Sequence, residues 1–345
     1  MTVELGPLHP RHGPHRPTSG SPARAPGSVR RTATIDMLRP EGITGPLVLR
    51  GRARDVITRA HGVTEVRDEA GIEAVVDFLA GRQLLALTTD PDRPELEGLV
   101  GRKVAAGFRA AALELAPRLP EENNLLNLLI DDLPGAALVS GHAFAVSASR
   151  EQRQHRALNL RSNLVRDQCA GFVDGGTIMN DVDRFGIPPQ VTGPAAPSLV
   201  NEDDPEGWHL LEPLPPHGMR RARRIDVRPG TPTVVDVLFR DSHMREDGLE
   251  TVVHEYTVLA EIDPKHRKVL SCTATAQVLP WLECPAAAAS AGRLAGVTLS
   301  GLRGYVRATF LGTSTCTHLN DTLRGLEDVT TLLSFADVPE PATSA

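Results

Sequence analysis

Near the end of the chain a thiol and an imidazole lie two residues apart, in Cys316-Thr317-His318, where a polar stretch gives way to leucines at helical spacing. Two further soft donors, His254 and Cys284, precede them in segments that read as separate elements. Two thiolates and two imidazoles make a closed tetrahedral set suited to zinc. With one donor loose the site is open, and a metal-bound water is acidified towards neutral pH. Without a metal, Cys316 and His318 have the residue types of a catalytic thiolate–imidazole pair, and a helix start, with its free N–H groups and dipole, would lower the thiol pKa. The plain alternative makes His254 and Cys284 core residues and Cys316-Thr317-His318 only a helix cap, free cysteine being among the most buried residue types. The spacing matches no standard zinc motif.

The elements that would bring these residues together are legible around them. Residues 251–262 alternate, with Val252, His254, Tyr256, Val258, Ala260 and Ile262 on one face and Glu255, Thr257 and Glu261 on the other. After the turn DPKHR, residues 269–279 put Leu270, Cys272, Ala274, Ala276 and Val278 on a matching apolar face, which makes a β-hairpin with one buried side. Past Pro280 come a small-residue helix opening at Cys284-Pro285, a second helical stretch GLRGYVRATFL, and a third over 317–333. Thr317 reads as the N-cap of the third, whose Leu319, Leu323, Leu326 and Leu333 form a core-facing stripe. Convergence is feasible there because residues i and i+2 diverge by about 200° only once a helix is established.

An earlier stretch repeats the pattern. RRTATID at 30–36 and RRARRID at 220–226 share Arg-Arg and Ile-Asp, and LVGRKVAAGF at 99–108 resembles LAGVTLSGLRGY at 294–305, each leading to leucine-spaced helices at 125–133 and 319–333. An internal duplication is the economical reading. Aligning the halves sets Cys316 on Glu121 or Glu122, His318 on Asn123 or Asn124, and Cys284 on Thr89 or Asp90, so the first copy lacks every soft ligand. The expected fold is α+β, an antiparallel sheet followed by helices, duplicated as an intramolecular pseudo-dimer. Its expected divisions are a disordered tail (1–29), a degenerate first copy (30–145), a Pro/Gly-rich connector or lid (146–219), an intact second copy (220–335) and a short tail (336–345).

Of the 345 residues, 41% are apolar and only 3% aromatic, with a net charge of -6. Stacking platforms for single-stranded nucleic acid and a basic phosphate-binding face are both excluded on this composition, despite Arg220, Arg221, Arg223 and Arg224. No apolar run approaches the roughly 20 residues of a membrane span, which points to a cytoplasmic protein with no membrane partner. The four cysteines, at 169, 272, 284 and 316, form no CxxC pair. Cys272 reads as packing, and Cys169 as part of a loop crossing near a core, or of a lid over the site. His209 and His217 read as surface residues, with Trp208 anchoring the connector. Asp241-Ser242-His243 cannot be a triad, because neighbours on a strand face opposite ways. GLVGRKVAAG lacks the spacing of a dinucleotide fingerprint, and there is no P-loop.

His254, Cys284-Pro285 with its small-residue helix, Leu294-x-Gly296, Val306-Arg307, Gly312 and Cys316-Thr317-His318-Leu319 together resemble the uncharacterised bacterial family known as domain of unknown function 2889, over about residues 220–333. The two-copy layout and DQCAGFVDGGTIM at 167–179 look like its longer members. The resemblance implies a fold and a site, and no reaction. More loosely, the element order is similar to iron–sulfur scaffold proteins of the IscU type. That likeness implies a zinc ion or cluster held by thiolates, a histidine and a carboxylate, with His254 in the first ligand position and Glu255 as the carboxylate. The sequence therefore points to a Cys/His metal site formed by His254, Cys284, Cys316 and His318, zinc ahead of iron, in an enzyme acting on a small organic molecule. Two alternatives stand beside it: a metal or iron–sulfur carrier, and a thiol enzyme with Cys316 and His318 as its catalytic residues.

Overall fold

The computed structural model describes residues 12–147, 149, 166–185, 188–189 and 191–336. The outer parts of both expected tails, and much of the connector before 166, lie outside them. The alternating segments of the first half form β1 (Ser28–Leu38), β2 (Leu47–Thr58), β3 (Thr64–Asp77) and β4 (Gln83–Asp90). A 3-10 turn over Pro94–Leu99 leads to α1 (Phe108–Leu115), α2 (Asn124–Val139) and α3 (Gly141–Ser147). The connector contributes α4 (Thr177–Phe185). The second half supplies β5 (Met219–Arg228), β6 (Thr233–Met244), β7 (Glu250–Asp263) and β8 (Lys268–Val278). A 3-10 segment, Cys284–Leu294, precedes α5 (Leu302–Thr309), α6 (Thr317–Arg324) and α7 (Val329–Ala336). The small-residue helix expected at Cys284 is thus a 3-10 segment, and the third helix is broken between Gly325 and Asp328.

All eight strands form one antiparallel sheet in the order β4-β3-β2-β1-β5-β6-β7-β8. The fold is α+β, and its two halves share this sheet through β1 and β5, which pair from Val29↔Val227 to Met37↔Met219. The shared Arg-Arg and Ile-Asp words make this seam. Arg30 Nε lies 2.5 Å from Asp226 Oδ1, and Arg220 Nε 2.7 Å from Asp36 Oδ1, two ion pairs related by exchanging the halves. Residues one step along, Arg31, Arg221 and Arg223, point to the helix-covered face, where each is fully buried. Buried cations need charged partners: Arg31 meets Asp55 and Asp328, Arg221 meets Asp241 and Asp321, and Arg223 meets Asp132.

The other face is covered by chain expected to be loose. Residues 12–27 are not a disordered tail. Arg16 N–H donates to Gln277 O, Thr18 N–H to Glu255, and Arg24 pairs with Asp204, so these residues run across the sheet and satisfy its polar groups. Trp208 does anchor the connector, with its ring buried and its Nε1–H donating to Ser21 Oγ at 2.8 Å. His209 is not a surface residue. It is buried between the Thr32 and Thr34 hydroxyls, each 2.9 Å from a ring nitrogen. In the β7–β8 hairpin, Leu270 is exposed and Val269 buried, because a bulge between Glu261 and Ile262 shifts the register.

Candidate metal centre

Three elements of the second half deliver side chains to one point on the helix-covered face. Asp241 on β6 and His254 on β7 are direct cross-strand partners, and His318 comes from the first turn of α6. Asp241 Oδ2 lies 3.4 Å from His254 Nδ1 and 3.7 Å from His318 Nε2. The donor atoms of the three residues all fall within 4.8 Å of one another. The edges of a tetrahedral site with bonds of about 2.0–2.2 Å are about 3.3–3.6 Å, so the two Asp241 distances are close to those of ligands around one ion. His254 Nδ1 is buried and makes no hydrogen bond, as a ligand atom without its ion would be.

Electrostatics suit such a site. Burial opposes the charge on Asp241, but the Arg221 guanidinium, with Nε 2.9 Å from Oδ1, and the neighbouring imidazoles hold its carboxyl well below the usual range. Burial, reinforced by His254, pushes His318 down to about 3. The neutral imidazole and ionised carboxylate that a cation requires are therefore already present at neutral pH. The two rings stack, with centroids 3.8 Å apart and planes 20° from parallel.

Of the four residues singled out in the sequence, His254 and His318 meet directly. Cys316 is adjacent but faces the opposite nitrogen of His318, its Sγ 3.7 Å from Nδ1. The two imidazole nitrogens point away from each other, so an ion held with Asp241 and His254 is out of reach of Cys316. Cys284 is outside the donor group and abuts the connector at Gly171, where a Cβ would stand 2.9 Å from its Sγ. The Cys169–Phe172 segment crosses here, tied by Ala170 N–H to Thr315 O at 2.9 Å, and covers Cys284 and Cys316. Cys316, not Thr317, is the N-cap of α6. Its thiol is not lowered by the helix start: burial pushes it up to about 11, outweighing the N–H of Leu319. Burial likewise raises the thiols of Cys284 and Cys169. The Tyr256 hydroxyl is turned towards Cys316 without reaching hydrogen-bond geometry.

Asp241 is hidden in the sequence by its neighbours Ser242 and His243, with which it forms no site. The Asp247-Gly248 turn holds the signal: a tight turn centred there pairs position 241 with 254. The first half has a matching Arg31–Asp55 pair, but Asp68 stands opposite Asp55 where His254 stands opposite Asp241. The cap of α2 is Asn123, which accepts from Leu126 N–H, so the counterpart of Cys316 is Asn123 rather than Glu121 or Glu122, and that of His318 is the buried Leu125. Glu255 is no ligand either; it lies on the far face, bonded to Arg240 at 2.5 Å, as strand alternation requires.

No curated protein and no solved structure matches the chain. One family model does, over residues 219–332, the stretch that carries Asp241, His254, Cys284, Cys316 and His318, and its description is "Protein of unknown function (DUF2889)". Residues 219–332 are thus a domain of that family of unknown function.

Proposed function

We propose that this domain binds one divalent transition-metal ion, zinc ahead of iron, through His254, His318 and Asp241, and uses it in chemistry on a small organic molecule. The observation that carries this reading is the convergence of three ligand atoms within 4.8 Å on separate elements. Two imidazoles and one carboxylate leave coordination positions open for water or substrate, which is the composition of catalytic rather than structural zinc sites; the same donor set also serves non-haem iron(II). An ion must lie near the plane of each ring it binds, and the rings are nearly parallel. Binding one ion through both would therefore require one ring to turn. His254, whose Nδ1 makes only the 3.4 Å approach to Asp241, would be the ring to turn, whereas Cys316 flanks His318. With Nε2 on the ion, His318 Nδ1–H would donate to Cys316 Sγ, 3.7 Å away, and so hold the ring. When bound, the ion supplies an acidified water or polarises a carbonyl.

A second reading is supported by the order Cys316, His318, Asp241. The thiol and the carboxylate each lie 3.7 Å from opposite nitrogens of one imidazole, which are the relations of a nucleophile, its base and the orienting acid. The high thiol and low imidazole pKa values make this pair neutral and slow at pH 7. Cobalt(II) substitution separates the readings. Ligand-field bands without a thiolate charge-transfer band, lost in His318→Ala, support the two-imidazole, one-carboxylate site. Absence of cobalt binding, together with stoichiometric alkylation of Cys316 by iodoacetamide, supports the thiol reading.

A further inference from the structure

A cleft of about 210 Å3, lined by none of Asp241, His254 and His318, opens between α1 and α2 of the first half and α5 of the second. Three arginines reach it, and two are spoken for. Arg109 Nε sits 2.7 Å from Asp131 O and 3.1 Å from Asp131 Oδ1, and Arg303 is bound to Asp328 and to Arg324 O. Arg307 is different. Among the described residues its one ion contact is at 3.9 Å, to an Asp131 already paired with Arg109 and Arg324, while its side chain remains about one-third exposed. A guanidinium taken partly out of water without a close acceptor lacks the hydrogen bonds that normally compensate it. Opposite it the wall is aliphatic, formed by Leu113, Leu119 and Ile130. Gly301 and Gly304, bearing no side chains, leave the first turn of α5 open to the same space.

We propose that this cleft binds a small aliphatic carboxylate, its two oxygens on the Arg307 guanidinium and its hydrocarbon against Leu113, Leu119 and Ile130. The parallel N–H groups of arginine match a carboxylate. The volume lies below the roughly 300–1,000 Å3 of sites for drug-sized ligands, so the ligand is small. The site joins the two halves of the chain, since its apolar wall belongs to one and Arg307 to the other.

Saturation-transfer NMR on the full chain, comparing 4-methylpentanoate with its uncharged amide, tests this without reference to the metal. The carboxylate should bind and the amide should bind at least about tenfold more weakly; Arg307→Gln should weaken the carboxylate by at least about tenfold. Leu113→Asp, which sets a negative charge in the wall of a half-exposed position, should do the same with the fold intact by circular dichroism. Equal binding of acid and amide, no binding of the acid to the unmodified chain, or undiminished binding to either variant would overturn the proposal.

Discussion

His318 and Asp241 have separable roles that substitution exposes. Asp241→Asn keeps the shape but removes one of the two carboxylates paired with the buried Arg221, leaving Asp321 to hold it, so the cost should fall below the about 3–5 kcal/mol of a buried pair broken outright. Metal affinity and stability should fall together in this variant, whereas His318→Ala should lose metal with a smaller drop in melting temperature. Acid sensitivity is also written in single residues. Burial lowers His142, His209 and His318 to about 3 and His243 to about 4, against an ordinary 6.5. For a histidine lowered on folding, the unfolded chain takes up the proton first, so the stabilisation is complete above pH 6.5 and is lost as pH falls towards the folded value. Each such group should cost about 2 kcal/mol at pH 5. Melting curves between pH 7 and 5 check the trend, and His209→Asn, remote from the metal candidate, should flatten it.

The elements that hold the site include one from the first half. Gly135 on α2 lies where a Cβ would stand 2.1 Å from Arg221 Nη1 and 2.7 Å from Asp321 Oδ2. Gly135→Ala should displace the guanidinium that orients Asp241 and weaken metal uptake, although helix propensity alone favours alanine by about 1 kcal/mol. A stable variant with unchanged metal affinity would show that α2 does not brace the centre. Much of this level was legible in the residues. Alternation in 251–262 and the leucine stripe from Leu319 to Leu333 gave β7 and the buried face of the last helices, because a period in apolar residues is a direct record of one covered face. The bulges were not legible, since an extra residue leaves no mark in the pattern; Val269 therefore took the core position expected of Leu270. Nor was the packed course of residues 12–27, whose contacts are hydrogen bonds and ion pairs to distant partners such as Asp204 and Glu255.

Across the whole molecule the halves are joined by charge as much as by apolar packing. Arg223 from β5 reaches Asp132 on α2, Arg31 from β1 reaches Asp328 beyond α6, and Arg324 links Asp131 to Asp321, which in turn holds Arg221. Such a network fixes how the halves meet, because any other register strands buried ions. A fragment beginning at Met219 should therefore fail to fold alone, exposing the β5 edge and leaving Arg220 without Asp36 and Arg223 without Asp132; a dispersed amide spectrum from that fragment would contradict this. Residue types alone pointed to the histidines, but they also grouped Cys284 and Cys316 with them, since spacing cannot tell which nitrogen of an imidazole a neighbour will face. The decisive measurement is metal stoichiometry after zinc loading and desalting, on the unmodified chain and on His254→Ala, His318→Ala, Asp241→Asn and Cys316→Ser. A metal centre of two imidazoles and a carboxylate retains about one zinc per chain in the unmodified protein and in Cys316→Ser, and loses it in the other three. Zinc lost from Cys316→Ser, or retained when His318 and Asp241 are replaced, would contradict it.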